Sequence, residues 1–404
     1  MSKKNVLDGI KVVEVASFVA GPSAAVQLSD FGAEVLKIEP LHGDPWRKGD
    51  ANPPLMRSET AYTHLLANRN KKSIALNLKD PNAQKVLYDL VKEADVFLTN
   101  SLPHVIVDLN LQYEKMKKIN PGIIYAVVGG FGSIGEEADA PGFDETAWWA
   151  RTGLMNSCRS KDSMPAVAPV GMGDNNTSVA LFASVMTGLY QREKTGKGCQ
   201  VGTSLMASGV WTNSIQVQAA LVGAPPQVSI AHEDWVAPLA GSIYTTSEGR
   251  NIFIVQLNPK NWSDMCDALG QETLKVDPRF QGMGMYQNHK ELTKELDAIF
   301  GAMTLEEAKA ALDKAKTNFS VVATNEELPN DQQMILNGFF PEIPGTNGIK
   351  TVQSPVHVIG IDKAVPQKAP EHIGENTVEE LKAIGYSDTD IKSLVESGAI
   401  GVPE

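Results

Sequence analysis

The chain has 404 residues, 42% hydrophobic and 21% charged, an ordinary globular composition with enough length for two domains. Its formal net charge of −12 argues against a nucleic-acid binder, while leaving room for a local basic pocket around a phosphorylated ligand. Three widely spaced cysteines, Cys158, Cys199 and Cys266, exclude a disulfide framework and point to a reducing, cytoplasmic setting.

The start, Met1-Ser2-Lys3-Lys4-Asn5, meets a strand within a few residues, so it reads as having no signal peptide. No apolar run is long enough to span a membrane. The seven histidines are scattered and there is no C-x-x-C, so no metal site is expected.

The β-branched run 10–15 predicts a buried strand. Gly21-Pro22 reads as a turn, 23–31 as a helix ended by Gly32, and 35–39 as a second strand. Together they form a right-handed βαβ unit. The loop 16–21 lies at a strand's carboxyl end, where open α/β sheets bind ligands, but no dinucleotide fingerprint is present. Residues 40–54 read as a polar loop, and 70–77 as a strand led by Lys71 and Lys72. That basic pair is either a solvated strand start or a phosphate contact. A helix over 81–94, a strand over 96–100, a helix over 113–119 and a strand over 123–128 follow. The alternation predicts an α/β fold with a doubly wound parallel sheet.

Gly142-Phe143-Asp144 leads into a short helix over 146–151. Next comes Val170-Gly171-Met172-Gly173-Asp174-Asn175-Asn176-Thr177, a tight glycine turn opening onto a helix that Gly196 stops. Asp174 at or near the N-cap has two readings. It caps the helix, or it is a nucleophile at a helix N-terminus with bare glycines around it. Local sequence leaves both open.

A short strand within 198–205 and a helix over 206–222 complete this part. The texture changes after Gly223-Ala224-Pro225-Pro226. A hairpin over 242–246 and 251–255, helices over 261–269, 289–303 and 305–314, and a strand over 319–323 predict a smaller α+β domain. Thr377 is expected to cap one helix and Ser387 another, over 388–397. The expected division is a large domain over 1–224, a small one over 225–330, and a segment over 331–404 returning to the large domain.

Several stretches in order resemble the class III CoA-transferase family, which includes formyl-CoA:oxalate and carnitine CoA-transferases. They are Leu7-Asp8-Gly9-Ile10-Lys11-Val12-Val13-Glu14, Ala20-Gly21-Pro22, the run from Gly32 to Pro40, Gly43-Asp44-Pro45-Trp46-Arg47 and Asn70-Lys71-Lys72-Ser73. Gly173-Asp174, Thr195-Gly196-Lys197-Gly198 and Ile373-Gly374-Glu375-Asn376-Thr377 continue the series, so the resemblance covers nearly the whole chain. It implies that Asp174 attacks an acyl-CoA thioester and carries CoA as an aspartyl thioester. CoA is then a substrate, with no permanently bound cofactor. It also implies an interlocked homodimer.

By resemblance Phe18, Val19 and Ala20 line the site, with Leu76, Lys79 and Asn100 near the nucleotide. The chain departs from the family pattern at Pro40 and at Asn100-Ser101-Leu102-Pro103-His104, so phosphate contacts fall to Lys71, Lys72, Lys79 or Arg47. The fold also resembles the α-methylacyl-CoA racemases, but their Gly-His-Asp is here Gly142-Phe143-Asp144, and Phe143 cannot move a proton. Asp144 either orients substrate or Asp174, or caps a helix. No glycine-rich flap is visible in 231–241, which argues against oxalate. Pro141-Gly142-Phe143-Asp144 with Trp148, Trp149 and Arg151 looks more like the branch acting on 2-hydroxy acids from amino-acid fermentation, such as phenyllactate or 2-hydroxyisocaproate. Trp148 and Trp149 either face an apolar acyl group or belong to the core or dimer interface. A CoA-binding protein without chemistry is the remaining alternative.

Overall fold

The computed structural model describes residues 5–225, 230–256 and 261–403. Residues 1–4 and Pro226, both used in the readings above, lie outside the described residues. The chain forms two compact units, one from Met1–Cys158, Pro165–Pro226 and Ile335–Glu404, the other from Arg159–Met164 and Gln227–Met334.

The strands are β1 (Lys11–Val15), β2 (Glu34–Glu39), β3 (Lys71–Leu76), β4 (Val96–Thr99), β5 (Ile124–Gly129), β6 (Cys199–Ser204), β7 (Ala240–Thr245), β8 (Asn251–Val255), β9 (Phe319–Val321) and β10 (Ile400–Gly401). In the first unit they make a seven-stranded sheet ordered β10-β3-β2-β1-β4-β5-β6, parallel except where β10 joins β3. The order reverses between β1 and β4, so the connections leaving their carboxyl ends run to opposite sides and open a crevice there.

Side chains alternate across each strand, and both faces are covered. Val13, Val15, Leu36, Ile38, Ile74 and Leu76 face one way, against the helix Pro81–Lys92. Val12, Val35, Val96, Leu98 and Ile124 face the other, against the helices Ala20–Asp30 and Met172–Thr195.

The second unit is a three-stranded antiparallel sheet, β7-β8-β9, with helices including His289–Gly301 and Leu305–Lys314. Its core gathers Tyr244, Ile252, Ile254, Leu296, Phe300 and Leu312.

Several local expectations change. The first helix begins at Ala20, so Gly21 and Pro22 lie inside its first turn. Proline is tolerated there, and a Cβ on Gly21 would come 2.9 Å from the Ala16 Cβ. The loop over 40–54 contains the short helix Pro45–Ala51, capped by Asp44. The helix expected over 206–222 is two, Leu205–Thr212 and Ser214–Leu221, separated at Asn213. Thr377 starts its helix without capping it, because its hydroxyl accepts the Ala75 N–H at 3.1 Å. Ser387 does cap the next helix, Asp388–Glu396. The helices Tyr62–Asn68 and Pro103–Asp108 and the strand β10 were not expected. Among the described residues, no helix is long and apolar enough to cross a membrane.

Candidate active site

Asp174 is the third residue of the helix Met172–Thr195, not its cap. The cap is Gly171, whose φ of 81° favours glycine. No side-chain capping bond is made there. The polar residues after Asp174 turn back on the helix, Thr177 donating to the Gly173 carbonyl and Ser178 to that of Asn175. The carboxylate of Asp174 is therefore left at the helix start, where the backbone favours an anion.

Gly173 explains how the turn is seated. A Cβ there would lie 2.7 Å from Cγ of Trp148. Trp148 is buried and stacks on Trp149, with centroids 5.8 Å apart and planes 11° apart. Both belong to a wide-turn helix, Asp144–Ala150, in place of the predicted 146–151. Trp148 thus lies beneath the Asp174 turn and does not line its cavity, which corrects the acyl-contact reading in favour of the core.

Asp144 is the first residue of that wide-turn helix, so it is not a cap. It is buried, with one carboxyl oxygen unpartnered. Burial first, then Glu145 and Asp174, raise its pKa, while the Gly173 amide beside it pulls the other way. Asp174 is pushed up to about 7, by burial and then by the charge of Glu145. Glu145 was missed in the sequence, because it lies at the start of the helix Asp144–Ala150 and only the fold brings its charge to Asp174 at the start of another.

Two adjoining cavities share Asn100 and Ser101. One, about 250 Å³, is lined by Phe18, Val19, Ala20, Gly142, Phe143 and Asp174 among others. The other, about 470 Å³, lies over the ends of β1 to β4 and includes Leu76 and Lys79. Asn100 pins the chain between them, accepting the Ser17 N–H at 3.0 Å and donating to the Ser17 carbonyl at 2.7 Å. Gly130 and Gly142 cross in contact, a Cβ on Gly142 falling 2.7 Å from the Gly130 Cα, and this brings Phe143 to the cavity.

Lys71 and Lys72 do not join this group. Neighbours in a strand point to opposite faces. Lys71 is fully buried, 2.7 Å from Glu14, and donates to Asn68 and to the Pro22 carbonyl. It is neither a solvated strand start nor within reach of a phosphate, and burial lowers its pKa to about 8. Lys72 points the other way and pairs with Glu380 at 2.6 Å and Glu34 at 3.1 Å. Arg47 is likewise committed, to Glu39 at 2.7 Å and to carbonyls including that of Pro370. Burial opposes ionisation of Glu39, but Arg47 overrides it and holds the pKa at about 2. Lys79 is exposed, with no ion pair among the described residues, and lines the larger of these two cavities.

Beneath the crevice lies a buried charge cluster. Lys37 sits 3.0 Å from Glu14 and 2.8 Å from Asp44, and donates to the Ala16 carbonyl at 2.9 Å. Burial works against its charge, but Glu14 and Asp44 outweigh it and raise the pKa. Asp44 in turn accepts the N–H groups of Phe18 and Trp46 at 3.2 and 2.9 Å. Phe18 is held in the left-handed region, φ 63°, a strain of about 1–3 kcal/mol that persists only where the surroundings fix it. The Asp44-Pro45 cap signal was present in the sequence.

A family model described as CoA-transferase family III matches residues 7–377. An (R)-2-hydroxy-4-methylpentanoate CoA-transferase from Clostridioides difficile is 31% identical, covering 98% of this chain and 99% of that protein. A cinnamoyl-CoA:phenyllactate CoA-transferase from Clostridium sporogenes is also 31% identical, over 96% of each chain. A crystal structure of a CAIB/BAIF family protein from Brucella suis shares the fold, with a TM-score of 0.84 at 24% identity, over 95% of this chain and 100% of that one.

Proposed function

The chain belongs to CoA-transferase family III and moves CoA between acyl-CoA thioesters and carboxylic acids, and we propose that Asp174 does this as a covalent nucleophile. The observation that carries the proposal is the lining of the smaller cavity: among its described residues, Asp174 is the one titratable group. A racemase needs both an acid and a base at the α-carbon. Phe143 supplies neither, so nucleophilic attack fits the cavity better.

In the proposed sequence, the Asp174 carboxylate attacks the thioester carbonyl. The C–S bond breaks, CoA leaves as thiolate, and a mixed anhydride remains. The thiolate then attacks the aspartyl carbonyl, which releases the donor acid and leaves an aspartyl-CoA thioester. The acceptor carboxylate attacks that thioester, forming a second anhydride and freeing the thiolate again. Attack of the thiolate on the acceptor's acyl carbon yields the new acyl-CoA and regenerates the carboxylate. Thioester energy is conserved throughout, so no nucleotide hydrolysis is required.

The proposed placement of CoA puts its thioester at Asp174 beside Phe18, Val19 and Ala20, and its nucleotide end by Leu76, Lys79 and Asn100. The two cavities meeting at Asn100 support it. Gly142 and Phe143 would border the acyl group, and Asp144 would act from behind Asp174. The proposed acceptor is a 2-hydroxy acid such as 2-hydroxyisocaproate or phenyllactate, supported by the two relatives that act on such acids.

The proposed homodimer is supported by the helix Ser214–Leu221, which has no buried residue, and by Trp211 and Ile215, about 80% exposed (81% and 80%). The unpaired thiols of Cys158, Cys199 and Cys266 support a cytoplasmic setting.

The test is to mix the protein with isocaproyl-CoA or cinnamoyl-CoA and labelled free acids, with Asp174→Ala alongside. CoA on a labelled acid, lost in the variant, is the expected result. No transfer, with solvent deuterium entering the α-carbon of a 2-methylacyl-CoA, would move the assignment to racemase.

A further inference from the structure

Three aromatic rings meet at the edge of the Asp174 cavity. The Phe18 centroid lies 6.2 Å from that of Trp46, tilted by 56°, and 6.2 Å from that of Phe143, edge-on at 89°. Each is fixed by a separate device. Four polar backbone groups leading into Phe18 are held by side chains: the Ala16 carbonyl by Lys37, both Ser17 groups by Asn100, and the Phe18 N–H by Asp44. Trp46 is set by the same Asp44 oxygen, and it closes over Gly49, where a Cβ would lie 2.7 Å from the indole. Phe143 follows Gly142, whose backbone is pressed against Gly130.

These devices keep large apolar rings exposed. Phe18 is 41% and Phe143 56% accessible, and both line the cavity. Rigid aromatic surface held open beside a reactive group suits an apolar ligand chain. Charge points the same way. Asp174, Asp144 and Glu145 cluster at one side, and among the described lining residues there is no cation. A second carboxylate on the acyl chain would meet like charges there without a partner.

We propose that Phe18 and Phe143, backed by Trp46, form a specificity wall that packs against a branched or aromatic acyl chain and disfavours acyl groups carrying a second carboxylate. The proposal rests on the CoA-transfer reading of Asp174 and adds the residues that set the acyl preference. The buried Lys37–Asp44 pair then acts through Phe18, as a positioning element.

The test measures kcat/KM for transfer from isocaproyl-CoA to four acids: 2-hydroxy-4-methylpentanoate, phenyllactate, acetate and glutarate. It uses the full chain, Phe18→Gly, Phe18→Leu and Phe143→Ala. Glycine accepts the positive φ at position 18, so Phe18→Gly removes the ring without adding strain. The unaltered protein is expected to prefer the branched and aryl acids. The ratio over acetate should fall roughly tenfold or more in Phe18→Gly and Phe143→Ala, on the scale that small changes in apolar contact produce. Phe18→Leu should lie between. Preference of the unaltered protein for glutarate or acetate, or an equal loss for all four acids in both ring deletions, would overturn the wall while transfer through Asp174 stood. No transfer to any acid would remove the transferase reading, and the wall with it.

Discussion

Gly173→Ala probes the seating of the reactive turn without touching the reactive group. The added Cβ would lie 2.7 Å from Cγ and 2.8 Å from Cβ and Cδ2 of Trp148. That is about 0.7 Å short of the 3.4 Å where ordinary contact begins. Trp148 cannot yield easily, because it is buried and stacked on Trp149. Overpacking of this kind costs about 1–3 kcal/mol, and alanine's better helix propensity returns about 1 kcal/mol. A net loss of about 0–2 kcal/mol leaves the protein folded. The turn must move by most of that 0.7 Å, and a misplacement near 1 Å at a reacting group costs on the order of 10²-fold in rate. The assay is single-turnover CoA transfer, with melting temperature measured in parallel. We expect a fall of about 10²-fold in rate with a melting shift of a few degrees at most. Unchanged kcat/KM in Gly173→Ala would refute the claim that Trp148 sets the position of Asp174.

Asp174→Asn should stabilise the fold at high pH. The folded pKa of about 7 lies above the usual carboxylate value, so folding is penalised once pH exceeds the unfolded pKa, and the penalty is complete above the folded one. Discounted for partial exposure, the gain is about 1–3 kcal/mol at pH 8 and vanishes near pH 4, which melting curves at both values would check. Lys37→Met leaves Asp44 buried without its cation and Glu14 with Lys71 alone, and should cost about 3–5 kcal/mol in urea denaturation. An unchanged midpoint would show that the cluster is not needed. Lys79→Ala should raise KM for acyl-CoA roughly fivefold, about 1 kcal/mol, with weaker salt dependence and little change in kcat. Lys71→Ala should act on stability instead of KM, and an effect on KM alone would put a phosphate contact back at that buried position.

Alternation of apolar strands and helices made the parallel sheet readable, because both faces of β1 to β5 are covered and their sequences are mostly apolar. The strand order was not readable, since it depends on contacts distant in sequence. Lys71 shows the same limit. In isolation a lysine at a strand start looks solvated, and its burial depends on Glu14 two strands away. A signal existed: Glu14 and Lys37 each interrupt an apolar strand, and they pair in register. Asp174 stood out as a candidate through its glycine setting and the family pattern. Trp148 stayed open between acyl contact and core in the sequence, because a tryptophan near a reactive residue serves equally as a floor, and the close approach at Gly173 is a tertiary contact.

The most direct test of the account is to trap the intermediate. The protein would be mixed with isocaproyl-CoA without acceptor, quenched, and its intact mass and peptides measured, with a parallel sample treated with hydroxylamine. The account predicts a mass gain equal to CoA less one water on the peptide carrying Asp174, conversion of Asp174 to a hydroxamate, and neither in Asp174→Ala. Transfer that proceeds with no adduct, or with the adduct on another residue, would contradict it.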